Sequence, residues 1–371
     1  MNWRESFLKV FGPGLLTGIT FAQWCYLLRR GDLEFDLSRM PRLLSITAQS
    51  LKNSVWHRIE HARFDQNIGD VVIRPPLFVL GHWRHGTTLL HNLIAQDPQF
   101  AFPNNYQVSF PHTFLTTEAR EAKWLWRLVP SKRPQDNMAL RLEDPQEDEF
   151  ALCAACLISP YLAWVFPRQK GAFAKYLSLR SASAPELTAW RQAFLQFLKK
   201  VQWLNGSKTL VLKSPPHTAR IRLLLELFPD AKFVHIHRHP YSVFQSSQRT
   251  FRIMYDFDSV QRPTTDDFDD WILRQYREMY DVYFEEKSLI PAGRLHEIAF
   301  EELEANPVET IRRLYTGLDL PGFSTSENAL QDYVKTLAGY QKNEFPTLGA
   351  EMRKRIYQDW RPCFDAWGYS S

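Results

Sequence analysis

The sequence has few cysteines, little charge imbalance and no long apolar run. Four cysteines in 371 residues give no sign of a disulfide framework; Cys25 and Cys363 stand alone, and Cys153 and Cys156 form a single C-x-x-C inside an apolar, helix-like run. Without a second pair, that spacing fits buried free thiols better than a metal site, and a reducing, cytoplasmic setting follows. Lys and Arg total 45 against 41 Asp and Glu, for a net charge of +4. So weak a basic balance excludes a nucleic-acid coat, and one basic pocket for an anion accounts for it. Internal repeats, low-complexity linkers and sharp composition breaks are also missing.

Residues 11–28 come nearest to a membrane span, but Gly12, Pro13, Gly14, Gly18 and Gln23 interrupt them and Arg29-Arg30 closes the run. They are too short and too broken to span, and they lack the cleavage site of a signal peptide. Two readings stay open: a helix docked on the domain, or an interfacial helix lying on a membrane. A helical pattern continues through 37–65, with Leu43, Leu44, Ile46, Leu51, Val55 and Ile59. Residues 1–68 therefore read as a helical N-terminal extension, and 69–371 as one α/β domain with helical insertions.

The most informative absence is one lysine. Residues 77–80 are a short apolar run with the pattern of a buried strand; a turn bounded by Gly81 and Gly86 follows, and 87–95 begins a helix. Strand, glycine turn and helix N-terminus make an anion site, because free N–H groups and the positive end of the helix dipole converge there. The spacing is that of a P-loop, except that the lysine after the second glycine is Thr87. That lysine serves the terminal phosphates of a nucleoside triphosphate. Its replacement, with Arg84 as the nearest cation, argues against ordinary ATP or GTP chemistry. The competing reading is a glycine turn with no ligand.

Further strands read at 71–73, 208–213, 233–238 and 295–300, and helices at 118–129, 218–228, from about 241, and 307–318. Residues 99–116, rich in Pro, Asn and aromatics, read as loop and pocket wall. Asp144 reads as an N-cap with Pro145 in the first helical position and Glu147 to Glu149 in the first turn. The acidic-aromatic stretch 250–290 reads as a solvated face or lid. Alternating strands and helices predict a three-layer α/β fold with a central parallel sheet. Ligands in such sheets bind beyond the carboxyl ends of the strands. Three such ends carry Gly81 to Gly86, Lys213-Ser214 and Arg238.

These residues resemble the sulfotransferases that use 3′-phosphoadenosine 5′-phosphosulfate. Gly81-His-Trp-Arg-His-Gly-Thr-Thr88 is similar to the family's 5′-phosphosulfate loop, with Arg84 as its cation. Residues 234–238 through Ser246 resemble the 3′-phosphate site, where an arginine ends a strand and a serine follows eight positions on. Ala299-Phe-Glu-Glu-Leu303 and Asn306-Pro307 resemble a further family segment. The match runs from about 70 to 320 and lies nearest the bacterial and plant branch with Lys-Ser-Pro. It implies the P-loop-like sulfotransferase fold and a donor held by Arg84, His85, Gly86, Thr87, Thr88, Arg238 and Ser246. Arg84 and Lys213 would take up charge on the leaving phosphate, and no metal is needed.

The chain departs from the family where the base should stand. The histidine two positions after the strand-end lysine is Pro215, and the glutamate about twenty residues past the loop is replaced by Asn104 or Asn105. Glu147 or Glu149 is the first choice for the base, with His112 and His217 next; the alternative for the carboxylates is simple compensation of a helix dipole. Leu89 stands where many relatives stack an aromatic ring on adenine. The acceptor group reads as a hydroxyl or amine, on a small molecule that is lipid-like, aromatic or carbohydrate. The competing functions are a kinase-like phosphotransferase, which would need the missing lysine and an acidic magnesium ligand, and a non-catalytic nucleotide-binding scaffold.

Overall fold

In the computed structural model of the protein, residues 12, 14–127, 138, 140–264, 267–339, 343 and 345–371 are described. The strands are β1 (Leu77–Leu80), β2 (Phe100–Ala101), β3 (Thr209–Lys213), β4 (Lys232–His237) and β5 (Leu295–Ala299). They form one parallel sheet in the order β2-β3-β1-β4-β5. β1 therefore lies between β3 and β4, in register Val79 to Lys213 and Leu80 to His235. This order brings the three sequence-marked strand ends side by side.

The side chains of β1 alternate between two cores, as a strand's period of two requires. Leu77 and Val79 join Val211, Val234, Ile236 and Ile298 on one face. Phe78 and Leu80 join Leu210, Leu212 and Phe233 on the other. Helices Thr87–Ile94, Pro307–Gly317 and Phe323–Thr336 cover the first face. Helices Asp148–Cys156, Ala184–Asn205 and Phe268–Glu286 contribute to the core on the second. The result is the expected three-layer α/β fold. All four cysteines are free thiols.

Several local expectations differ from the structure. Residues 71–73 are not a strand: Val72 is exposed, and Pro75-Pro76, which lack backbone donors, follow after Arg74. The 99–116 segment is more regular than a loop, containing β2, a short helix Asn105–Ser109 and the start of helix Phe114–Trp126. Asn104 makes a capping box with Gln107, which explains that short helix. The 118–129 helix thus begins at Phe114, and positions 128 and 129 lie outside the described residues. In place of a helix over 218–228, a 3₁₀ turn Pro215–Ala219 precedes helix Ile221–Leu227. Asp144 does not cap a helix. Pro145 forms an isolated bridge with Asn104, and the helix starts at Asp148 with Glu147 as N-cap.

The 250–290 stretch is not a lid: one face of its helices packs into the core, and the carboxylates of Asp267, Asp270 and Asp281 lie about half exposed on the other. Helices Pro240–Asp258 and Phe268–Glu286 bury Phe251, Trp271, Tyr276 and Tyr280 in the core. Asp267 pairs with Lys170, Asp269 with Gln248 and Asp270 with Arg355, and Asp266 lies outside the described residues.

Residues 14–69 dock tightly on this core. Leu15, Leu16, Ile19, Trp24 and Leu27 are buried. Helices Phe21–Arg29 and Met40–Gly69 are tied down by Asn53, which donates to the Thr17 and Ile19 carbonyls, and by the buried pair of Lys200 with Glu60 at 2.7 Å. Gln23 donates to the carbonyls of Ala154 and Ala155, at the end of the helix that Glu147 caps. No helix among the described residues is long and apolar enough to cross a membrane.

Candidate active site

The glycine turn after β1 adopts positive φ at three positions: Gly81 at 141°, Arg84 at 73° and Gly86 at 92°. At Gly86 a side chain is excluded twice, by the left-handed backbone and by the Phe300 ring against which a Cβ would collide. A Cβ on Gly81 would lie 2.6 Å from the Ile236 carbonyl. The loop is held from both sides. Gly81 N–H donates to Thr218 Oγ1 at 2.8 Å, from the turn after β3. Arg238, at the end of β4, donates to the Arg84 carbonyl at 3.2 Å and lays its guanidinium 4.2 Å from the centre of Phe300. Arg84 Nε in turn donates to Ser246 Oγ at 2.8 Å. Arg84, Arg238 and Ser246 thus come together across 162 residues of chain.

The helix beginning at Thr87 has Gly86 as its N-cap, which brings no side-chain acceptor to the first turn. Its N–H groups and dipole therefore favour an anion. Lys213, at the end of β3, closes the other flank: its Nζ lies 3.4 Å from Thr88 Oγ1 and 2.6 Å from Glu147 Oε1. This ion pair is almost fully enclosed, with side-chain exposures of 1% for Lys213 and 10% for Glu147. The second oxygen of Glu147 accepts a hydrogen bond from the Tyr161 hydroxyl, and that hydroxyl accepts one from Trp83 Nε1 at 3.1 Å. Burial, then the charge of Glu147, pushes the Tyr161 phenol far above its usual range, so it stays a donor.

The remaining candidates fall in different places. His85 is buried within the fold: its Nδ1 lies 3.1 Å from the Ile236 carbonyl and 3.0 Å from the Tyr280 hydroxyl. Burial, then the nearby His82, holds it neutral, well below 6.5. Its Nε2 is buried without a hydrogen-bond partner.

Glu149 has a different task from Glu147, because Arg220 grips both its oxygens, at 2.6 and 3.2 Å, in a fully buried fork. Between them in sequence, Asp148 accepts from His217 Nε2 at 2.6 Å and from Ser214 Oγ at 3.0 Å. Burial alone would raise the Asp148 carboxyl, but the charge and hydrogen bond of His217 and the Ser214 hydroxyl outweigh it and leave it lowered. His112 is not brought to the strand ends. It lines a cavity of about 320 Å³ with His57, Pro111 and Lys200, and its Nε2 lies 3.2 Å from Gln23 Oε1.

Tyr161, Trp83, Thr218 and Asp148 are the site neighbours that sequence reading did not single out, whereas His217, a second choice for the base, is found paired with Asp148. Tyr161 carries no local motif. Asp148 stood between two carboxylates already singled out, which was the one available signal.

The sulfotransferase-family profile matches residues 75–325, which span both glycines of the loop, Lys213, Arg238 and Ser246. The chain belongs to the sulfotransferase family. It is 36% identical over 372 residues to the omega-hydroxy-beta-dihydromenaquinone-9 sulfotransferase Stf3 of Mycobacterium bovis, covering 99% of this chain and 93% of that protein. The Stf3 protein of Mycobacterium tuberculosis matches equally, at 36%. Among solved structures, sulfotransferase STF9 from Mycobacterium avium superposes with a TM-score of 0.66 at 19% identity, over 94% of this chain and 97% of that one. Sulfotransferase STF1 from Mycobacterium tuberculosis has a TM-score of 0.66 at 17% identity, over 97% of both chains. At those identities the superpositions establish the P-loop-like fold. Family and full-length relative together make this an enzyme of sulfuryl transfer, and the kinase-like and scaffold alternatives are not favoured. Among the described residues no cluster of His, Cys, Asp or Glu has the arrangement of a metal site.

Proposed function

We propose that the enzyme moves the sulfuryl group of 3′-phosphoadenosine 5′-phosphosulfate to a hydroxyl of a lipid-like acceptor, with Glu147 as the base. The Lys213–Glu147 pair beside the uncapped N-terminus of helix Thr87–Ile94 carries this reading. The donor set suits the nucleotide: the N–H groups of Gly86 to Thr88 with Arg84 and Lys213 for the phosphosulfate, and Arg238 with Ser246 for the 3′-phosphate. In the transfer, the acceptor oxygen attacks sulfur, the bond from sulfur to the bridging phosphate oxygen breaks, and the acceptor proton passes to Glu147. Lys213 and Arg84 stabilise the negative charge left on the phosphate, and adenosine 3′,5′-bisphosphate departs. Tyr161 keeps the Glu147 carboxylate turned toward Lys213.

A lipid-like acceptor is supported by the full-length similarity to an enzyme named for a menaquinone derivative. Such an acceptor places the working enzyme at a lipid surface. Two measurements test the reading. Calorimetric titration with adenosine 3′,5′-bisphosphate should show saturable binding; its absence overturns the donor. Mass spectrometry of a lipid extract incubated with enzyme and donor should show one sulfo group added to an apolar metabolite. Modification confined to the water-soluble fraction overturns the acceptor.

A further inference from the structure

Helix Met40–Gly69 has thirty residues, a length of about 45 Å. Its inner face is pinned by buried Ile46, Ser50, Asn53, Glu60 and Ile68. Its outer face is unusual for a helix packed on a domain. Leu37, just before it, is 78% exposed, and Leu44, Leu51 and Val55 are 62%, 49% and 59% exposed. Met40 and Ile59 are also exposed. These positions recur at three-, four- and seven-residue steps, which puts them within roughly 100° of the helix circumference. The helix cannot roll to bury them, because Asn53 and Glu60 are hydrogen-bonded on the opposite side and Thr47 is held by Trp24 at the edge of the stripe.

Charge within this stripe is positive, and the carboxylates that border it are each paired: Asp36 with Arg168, Asp65 with His61 and Glu121 with Lys52. Between residues 37 and 64 the only carboxylate is Glu60, which is buried on Lys200. Arg58 is exposed within the stripe and Arg63 along its border, while Lys52 nearby is paired with Glu121. A rigid apolar stripe studded with arginine and free of carboxylate matches the interface of a bilayer carrying anionic lipids: the side chains enter the headgroup boundary while the cations stay among the phosphates.

We propose that the outer face of helix Met40–Gly69 is the surface by which the enzyme lies on an anionic membrane. The helix lies in the plane and does not cross. The same N-terminal layer reaches the chemistry, because Gln23 holds the carbonyl end of the helix whose first residue follows Glu147. Adsorption by this face therefore sets the site at a fixed height above the lipid.

The proposal takes its purpose from the lipid-like acceptor, but its test is independent of turnover. The full-length protein is sedimented with vesicles of phosphatidylcholine with and without phosphatidylglycerol. Binding is expected to need phosphatidylglycerol and to weaken with salt. Leu44→Glu/Val55→Glu and Arg58→Glu/Arg63→Glu should each lower the partition coefficient at least about tenfold. Both variants should keep wild-type affinity for adenosine 3′,5′-bisphosphate, which certifies their fold. Wild-type protein that stays in the supernatant overturns the proposal, as do variants that bind vesicles normally. So does a wild-type dimer that Leu44→Glu/Val55→Glu dissociates, since the stripe then serves a second copy. Normal vesicle binding with no sulfo group added to any lipid would retain the docking face and reject the acceptor.

Discussion

Replacing Glu147 with glutamine separates its charge from its shape. The amide fills the same space and accepts from Lys213 or Tyr161, but it cannot take a proton, and it leaves the Lys213 ammonium enclosed without its counter-charge. Breaking a buried pair on one side costs about 3–5 kcal/mol. For 371 residues the unfolding entropy at the melting point is about 0.8 kcal/mol/K, so the melting temperature should fall by roughly 4–6 °C. Loss of a general base lowers turnover by about 10²–10⁴. Adenosine 3′,5′-bisphosphate should raise the melting temperature more in Glu147→Gln than in wild type, since its phosphate gives Lys213 a new anion. Scanning calorimetry with and without the nucleotide reads the first and third effects, and mass-spectrometric turnover reads the second. Glu149→Gln is the matched control. It strips the buried Arg220 fork of its charge, so it should lower the melting temperature as much while the folded fraction keeps its turnover. Near-normal turnover in Glu147→Gln, or its loss in folded Glu149→Gln, would refute the assignment.

Other outcomes follow from the same geometry. Arg84→Met removes the guanidinium that Ser246 accepts from, and affinity for adenosine 3′,5′-bisphosphate should fall about tenfold to a hundredfold by titration calorimetry; unchanged affinity removes Arg84 from the anion site. Gly86→Ala should lower stability by about 1–3 kcal/mol, and adding Phe300→Ala should restore only part of it, because the left-handed backbone strain stays; full rescue would assign the whole cost to the ring. Stability should also fall on acidification. Burial first, with the Lys213 charge at His91 and the His57 charge at His112, lowers His82, His91 and His112 from 6.5 to about 3. Groups depressed in the folded state are protonated first in the unfolded chain, so their contribution is complete above pH 6.5 and is lost as pH falls toward 3. Each costs about 2 kcal/mol by pH 5, and a melting temperature flat from pH 7 to 5 would contradict their neutral burial.

The parts of the site legible in the sequence are those that neighbours along the chain encode. A strand, a glycine turn and a helix start are local events, so Gly81, Arg84, Gly86 and Thr88 stood out together. Lys213 and Arg238 stood out because each ends an apolar run. Where local signals misled, a tertiary contact had overridden them: Asp144 and Pro145 have good helix-start chemistry, but the bridge from Asn104 to Pro145 holds that stretch extended and delays the helix to Asp148. Three adjacent carboxylates were indistinguishable in sequence, and the fold gives each a different partner. Glu147 meets Lys213, Asp148 meets His217 and Glu149 meets Arg220, over separations of 66, 69 and 71 residues.

By itself, the sequence determined the parallel α/β class and the strand, glycine turn and helix start at 77–95, because strand and helix periods and glycine conformations are properties of short stretches; the family was legible only through the resemblance of three separate motifs. Only the tertiary structure decided which carboxylate faces the strand-end lysine, that Tyr161 and Trp83 hold it there, and that His112 belongs elsewhere. Those outcomes depend on how helices pack across the sheet, and no contiguous run of residues carries that information.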